Sequence, residues 1–161
     1  MISGAAAAQA GTATVRVLQS ALADEQAAVY GYGVAGAYLS GGEQATATSA
    51  WVAHQNARDA IEAMLRSRGA QPGAGSVAYR LPVPVQTPAE AVALAVMIED
   101  RLATVYLGLV ALTAAEVRQF GAQQLQACAL RAAGWRGSTV AFPGMTDATL
   151  AAPRPGSGSP Q

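Results

Sequence analysis

The stretch AQPGAGSVAYRLPVPVQ, residues 70–86, separates two regions of helical periodicity and limits how they can be joined. Proline fixes its own φ and pushes its predecessor toward extended backbone, so the part YRLPVPV should be extended rather than helical. At ~3.1 Å per residue in that conformation, the stretch can travel the full length of a helix of about 24 residues. It is therefore long enough to start the following helix at the opposite end of the molecule from where the preceding helix stopped.

Working outward, apolar residues recur with helical spacing in four segments, and almost nothing alternates with the period of a strand. The first helix is expected from about Val15, after a Thr14 cap, to about Leu39, where SGG at 40–42 stops it. The second runs from near Glu43 to Gly69, with arginines in its last turn where the helix dipole favours cations. The third starts on Thr87 as cap, Pro88 at the first helical position and Glu90 closing a capping box, and runs to about Leu112. The fourth covers about Ala114 to Ala133. The first and second helices, and the third and fourth, are separated by only a few residues, so each pair must be an antiparallel hairpin. Two hairpins joined by one long crossover make an all-α, ferritin-like four-helix bundle.

Composition narrows the function classes. The chain has 161 residues, enough to bury one self-sufficient core. Its ten basic residues are all arginine and balance ten carboxylates, leaving no basic stripe for phosphates or an anionic membrane surface. Nucleic acid and membrane partners are not expected. Cys128 is the single cysteine, so it reads as an apolar filler in a reducing, cytoplasmic setting. The N-terminus lacks the charged and leucine-rich parts of a signal peptide.

Polar residues interrupt the apolar stripes near the helix midpoints. Glu25 shares a stripe with Leu18, Leu22, Val29 and Tyr32, and Glu99 shares one with Val92, Val96, Tyr106 and Leu109. Each glutamate is followed seven residues later by a tyrosine, two turns on along the same face. This repetition suggests a pseudo-twofold relation between the hairpins. In the second helix Trp51, His54, Arg58, Ile61 and Leu65 form a heptad-like row, with Asp59 beside Arg58. A one-residue change of phase would place Ala57 in that row and turn Arg58 outward. The fourth helix offers Gln124, Cys128 or Arg131 to the core, depending on phase, while Glu116 lies in its first turn as a dipole partner. The expected polar midplane is thus Glu25, Tyr32, His54, Arg58, Asp59, Glu99 and Tyr106. A buried carboxylate must be paired, protonated or bound to a cation. Arg58 or His54 could pair the glutamates, or Glu25, His54 and Glu99 could hold iron or manganese.

The stretches EQAAVYGYGVAGAYL, HQNARDAIEAML, YRLPVPV, IEDRLATVYLGLV and AFPG resemble the alanine-rich, ferritin-like domain family of unknown function found in GC-rich bacteria. The resemblance runs from about Leu18 to Gly144 and implies a ferritin-like bundle, without an established activity. The first motif of that family reads Glu-His, whereas here Gln26 follows Glu25. Di-iron carboxylate bundles also need a Glu-x-x-His pair from each of two helices, and Trp51 stands where that glutamate would precede His54. The fourth helix has neither member.

The resulting expectation is a flexible N-terminus at 1–13, a bundle with a docked C-terminal segment at 14–145, and a disordered tail at 146–161. STVAFPGM, residues 138–145, has the apolar side chains Val140, Phe142 and Met145 to dock back. Gly31, Gly33 and Gly36 each weaken a helix by about 1 kcal/mol against alanine, which suggests close approach of another backbone and a homodimer on the small-residue face. Tyr30 and Tyr38 would then face a second subunit or the crossover. Functionally, the reading is a non-catalytic scaffold or a small-ligand or partner-binding protein with no cofactor. The alternative is a residual metal-binding oxidoreductase using Glu25, His54 and Glu99 with iron or manganese.

Overall fold

The computed structural model describes residues 2–145, all of whose regular structure is helical. The elements are α1 (Ile2–Tyr38), α2 (Gly41–Arg66), α3 (Pro88–Val110) and α4 (Ala115–Arg136). Two residues separate α1 from α2 and four separate α3 from α4, so both pairs are tight hairpins.

The crossover, 67–87, climbs along α1. Near its start the Gln19 side chain donates to the carbonyl of Gln71 at 2.6 Å and accepts from the Gly73 N–H at 2.9 Å. Further up, Tyr79 packs on Tyr30 with ring centroids 5.6 Å apart. At the top, Val85 joins an apolar cluster with Leu39 and Ala47 at the α1–α2 turn. The route returns the chain to the end of the bundle where α1 finishes, so α3 runs antiparallel to α1. Accordingly, Asp24 pairs with Arg101, while Gly31, two turns later in α1, faces Ile98, earlier in α3.

The α3 start matches its sequence signal in full. Thr87 accepts from the Glu90 N–H, and the Glu90 carboxylate accepts from the N–H groups of Gln86 and Thr87. Those backbone and hydroxyl bonds also hold the Glu90 carboxyl below its usual pKa. At the same end of the bundle Gly137, with φ +73°, terminates α4 in the left-handed conformation.

Two details differ from expectation at the termini. Helix α1 begins at Ile2, not Val15, and Thr14 is no cap: its hydroxyl donates to the carbonyl of Ala10 at 2.9 Å inside a continuous helix. Alanine has the highest helix propensity, and threonine can return its hydroxyl to a carbonyl one turn back, so this alanine-rich stretch continues the helix. Residues 2–13 are therefore helical. At the C-terminal side, Val140, Phe142 and Met145 remain exposed, and Gly144 makes the close approach instead. A Cβ there would come within 2.6 Å of the Ala103 carbonyl oxygen. The tail expected from residue 146 lies outside the described residues.

Two apolar clusters fill the bundle. One gathers Leu18, Leu22, Ile61, Leu65, Leu102 and Leu109; the other is built largely from alanines 35, 47, 50, 91 and 95 around Tyr32 and Leu94. The polar midplane lies between them. No described helix is long and apolar enough to cross a membrane.

Candidate functional site: a buried polar midplane

Among the described residues the buried polar or charged side chains are Thr14, Glu25, His54 and Glu99, and the last three meet. Each is carried to the centre by the stripe it interrupts. In α2 that stripe is Ala47, Ala50, His54, Ala57, Ile61 and Leu65. This phase leaves Trp51 36% exposed and turns Arg58 outward, where its guanidinium pairs with Asp59 at 2.7 Å. Arg58 and Asp59 are thus not part of the midplane. Small alanines can line the seam as readily as the larger residues of the heptad-like row, so the larger side chains did not reveal the phase.

His54 bridges the two glutamates. Its Nδ1 is 2.9 Å from Glu25 Oε2, and its Nε2 is 3.1 Å from Glu99 Oε1. The tyrosines cross between hairpins: the Tyr32 hydroxyl donates to Glu99 Oε1 at 2.6 Å, and the Tyr106 hydroxyl donates to Glu25 Oε1. The seven-residue spacing therefore does not pair each glutamate with its own tyrosine. Because α1 and α3 are antiparallel, a residue two turns after the glutamate on one helix lies level with the glutamate of the other.

The fourth helix supplies what Arg58 does not. Arg131 Nε donates to Glu99 Oε1 at 2.8 Å, its Nη2 lies 3.3 Å from Cys128 Sγ, and Trp135 Nε1 donates to the Tyr32 hydroxyl at 3.0 Å. Phase alone left Arg131 as one of three options on α4. Trp135, one turn further on, carried no separate signal. The buried positions Val117, Gly121, Cys128 and Ala132 form too sparse a stripe to fix the phase by hydrophobicity.

Electrostatics follows from this arrangement. Burial opposes charge on His54, but hydrogen bonds and charge from Glu25 and Glu99 outweigh it and hold the imidazole pKa up at about 9. For Glu99 burial again works against ionisation, while His54 and Arg131 prevail and keep the carboxyl below its usual range. Burial, reinforced by the adjacent carboxylates, pushes both Tyr32 and Tyr106 up, so they remain neutral donors. The Cys128 thiol is raised for the same leading reason. With His54 as imidazolium, two carboxylates face two cations, one charged group from each helix.

The distribution of bonds is uneven. Glu99 Oε1 accepts from Tyr32, His54 and Arg131, whereas the buried Glu99 Oε2 has no hydrogen-bond partner. Among the described residues, no group of three or more His, Cys, Asp or Glu is arranged to hold a metal ion.

Residues 17–147 match the family model described as a domain of unknown function, DUF4439. The chain belongs to that family. A solved structure similar to this DUF4439 chain is a conserved hypothetical protein, rv2844, from Mycobacterium tuberculosis, at 33% identity and a TM-score of 0.77. That similarity covers 83% of this chain and 99% of the mycobacterial one. No curated protein matches this DUF4439 chain.

Proposed function

We propose that this protein is a ferritin-like bundle acting as a non-catalytic scaffold, with its midplane retained as a closed, charge-balanced network that fixes helix register. Connectivity supports the ferritin-like part: two hairpins, a full-length crossover and glutamates at mid-height on α1 and α3. One observation carries the scaffold part. Glu25, His54, Glu99 and Arg131 come from four different helices and satisfy one another's charge. Such a network serves an alanine-lined bundle well, because small side chains interdigitate little and specify register weakly.

A residual iron or manganese centre on Glu25, His54 and Glu99 has one observation in its favour, the unpartnered Glu99 Oε2. The donor set does not fit it in this arrangement. Both ring nitrogens of His54 face carboxylate oxygens, and the Arg131 guanidinium occupies the side of Glu99 from which α4 would have to supply a ligand. A fixed cation there repels a second one.

Elemental analysis after aerobic purification, repeated after anaerobic iron loading, tests the reading. The scaffold predicts about a tenth of an equivalent of transition metal or less, with unchanged thermal stability. Stoichiometric iron or manganese lost on Glu99→Gln substitution would contradict it.

A further inference from the structure

A wide groove of about 890 Å³ lies outside the midplane, between α1, α3 and residues 79–82 of the crossover. Its floor is Ala27, Ala28, Gly31, Leu94, Ile98 and Leu102, and Met97, 43% exposed, forms a lip. Gly31 deepens it by admitting Ile98: a Cβ at Gly31 would come within 2.7 Å of Ile98 Cδ1. The volume falls within the range of small-molecule sites, roughly 300–1,000 Å³, and a mostly apolar trough with few polar groups is their usual form.

The charges on the walls are not equivalent. Asp24 is bound by Arg101 at 2.6 Å, and Asp100 by Arg136 at 2.5 Å. Both carboxylates lining the groove are therefore neutralised, and so is Arg101. Arg80, on the crossover wall, is the remaining lining cation and has no ion pair among the described residues. The groove thus joins an apolar trough to one uncompensated positive charge at the end nearest Tyr79 and Gly31. Along α1 it extends from Ser20 to Gly31, about 16 Å at 1.5 Å per residue.

We propose that this groove binds a free, monoanionic amphipath, a carboxylate on an unbranched hydrocarbon tail of about ten carbons, which together with its head group fits within the ~16 Å trough. The tail lies on the Ala27–Gly31 and Leu94–Leu102 floor, and the head group pairs with Arg80. This site is separate from the midplane and stands whether or not the midplane is purely structural.

Calorimetric titration with decanoate, below its micelle concentration, is the test, with decanol and decyltrimethylammonium as head-group controls. Decanoate should bind the intact chain with one site, and Arg80→Glu should weaken it about fivefold while leaving decanol unchanged. Ala27→Trp should fill the floor and abolish binding of both. Met97→Glu, at the exposed lip, should weaken both tails if Ala27→Trp disturbs the fold. Absence of decanoate binding overturns the proposal, as does equal binding of the trimethylammonium amphipath. A wild-type dimer in sedimentation that Met97→Glu dissociates would assign the groove to a second copy of the chain instead, and would equally overturn it.

Discussion

His54 stands between two carboxylates with a ring nitrogen toward each, and only a doubly protonated ring can donate to both. The folded state therefore favours the imidazolium, with its pKa raised to about 9 against about 6.5 in an unfolded chain. The sign of the linkage follows. The stabilisation is fully present below pH 6.5 and is lost as the pH rises through 9, about 3 kcal/mol over the whole window. Urea unfolding at pH 7 and pH 10 should show this loss, and His54→Gln should remove most of the difference. Removing the imidazole altogether leaves two buried carboxylates short of a cation, so His54→Ala should destabilise by about 3–5 kcal/mol. Tyr106→Phe removes one hydrogen bond to a buried carboxylate and should cost about 1.5–3 kcal/mol. By contrast, Arg58→Ala breaks only a surface contact with an adjacent aspartate and should lie within about 0.5 kcal/mol of wild type. Equal effects of Tyr106→Phe and Arg58→Ala in the same denaturation series would count against the midplane assignment.

Among the helices, glycines separate real contacts from apparent ones. The row Gly31, Gly33 and Gly36 suggested close approach of another backbone, on a face assigned to a second subunit; within the chain Gly31 meets the Ile98 side chain, and Gly33 and Gly36 face open space. Within the chain, a close backbone approach lies in the other hairpin. A Cβ on Gly121 would sit 2.7 Å from Leu109 Cβ, 3.1 Å from the Tyr106 carbonyl and 3.2 Å from the Val110 nitrogen. Gly121→Ala should therefore force α3 and α4 apart and destabilise by about 1–3 kcal/mol, despite alanine's better helix propensity. Gly33→Ala should instead stabilise by about 1 kcal/mol, and thermal unfolding of the pair should show opposite signs. The four helices, the short hairpin links and the crossover were legible because proline, capping and spacing act locally. Glu25, Glu99 and His54 were legible because each breaks an apolar stripe. Arg131 was not, since a helix packed largely through alanine and glycine gives its phase only through its neighbours. Arg58 was misplaced for the same reason, alanine having claimed the seam. Tyr30, given a second subunit or the crossover as its neighbour, rests on Tyr79 of the crossover.

Taken whole, the molecule is a bundle whose two apolar clusters differ in character, one rich in leucine and one in alanine, with the charged layer between them. The alanine-lined half has little side-chain shape to hold its helices in register, and the bond from Tyr32 to Glu99 ties one hairpin to the other there, while Tyr106 does the same from the leucine-rich side. The proposed scaffold role rests on all four charges being present together. The chain has a single histidine, so its imidazole resonances require no assignment. Nitrogen-15 NMR of that ring between pH 5 and pH 10 reads the state of the layer. Both ring nitrogens should remain protonated through pH 8 and titrate together near 9. A neutral tautomer at pH 7, or a ring nitrogen whose resonance shifts on adding iron or manganese, would contradict a closed, charge-balanced midplane.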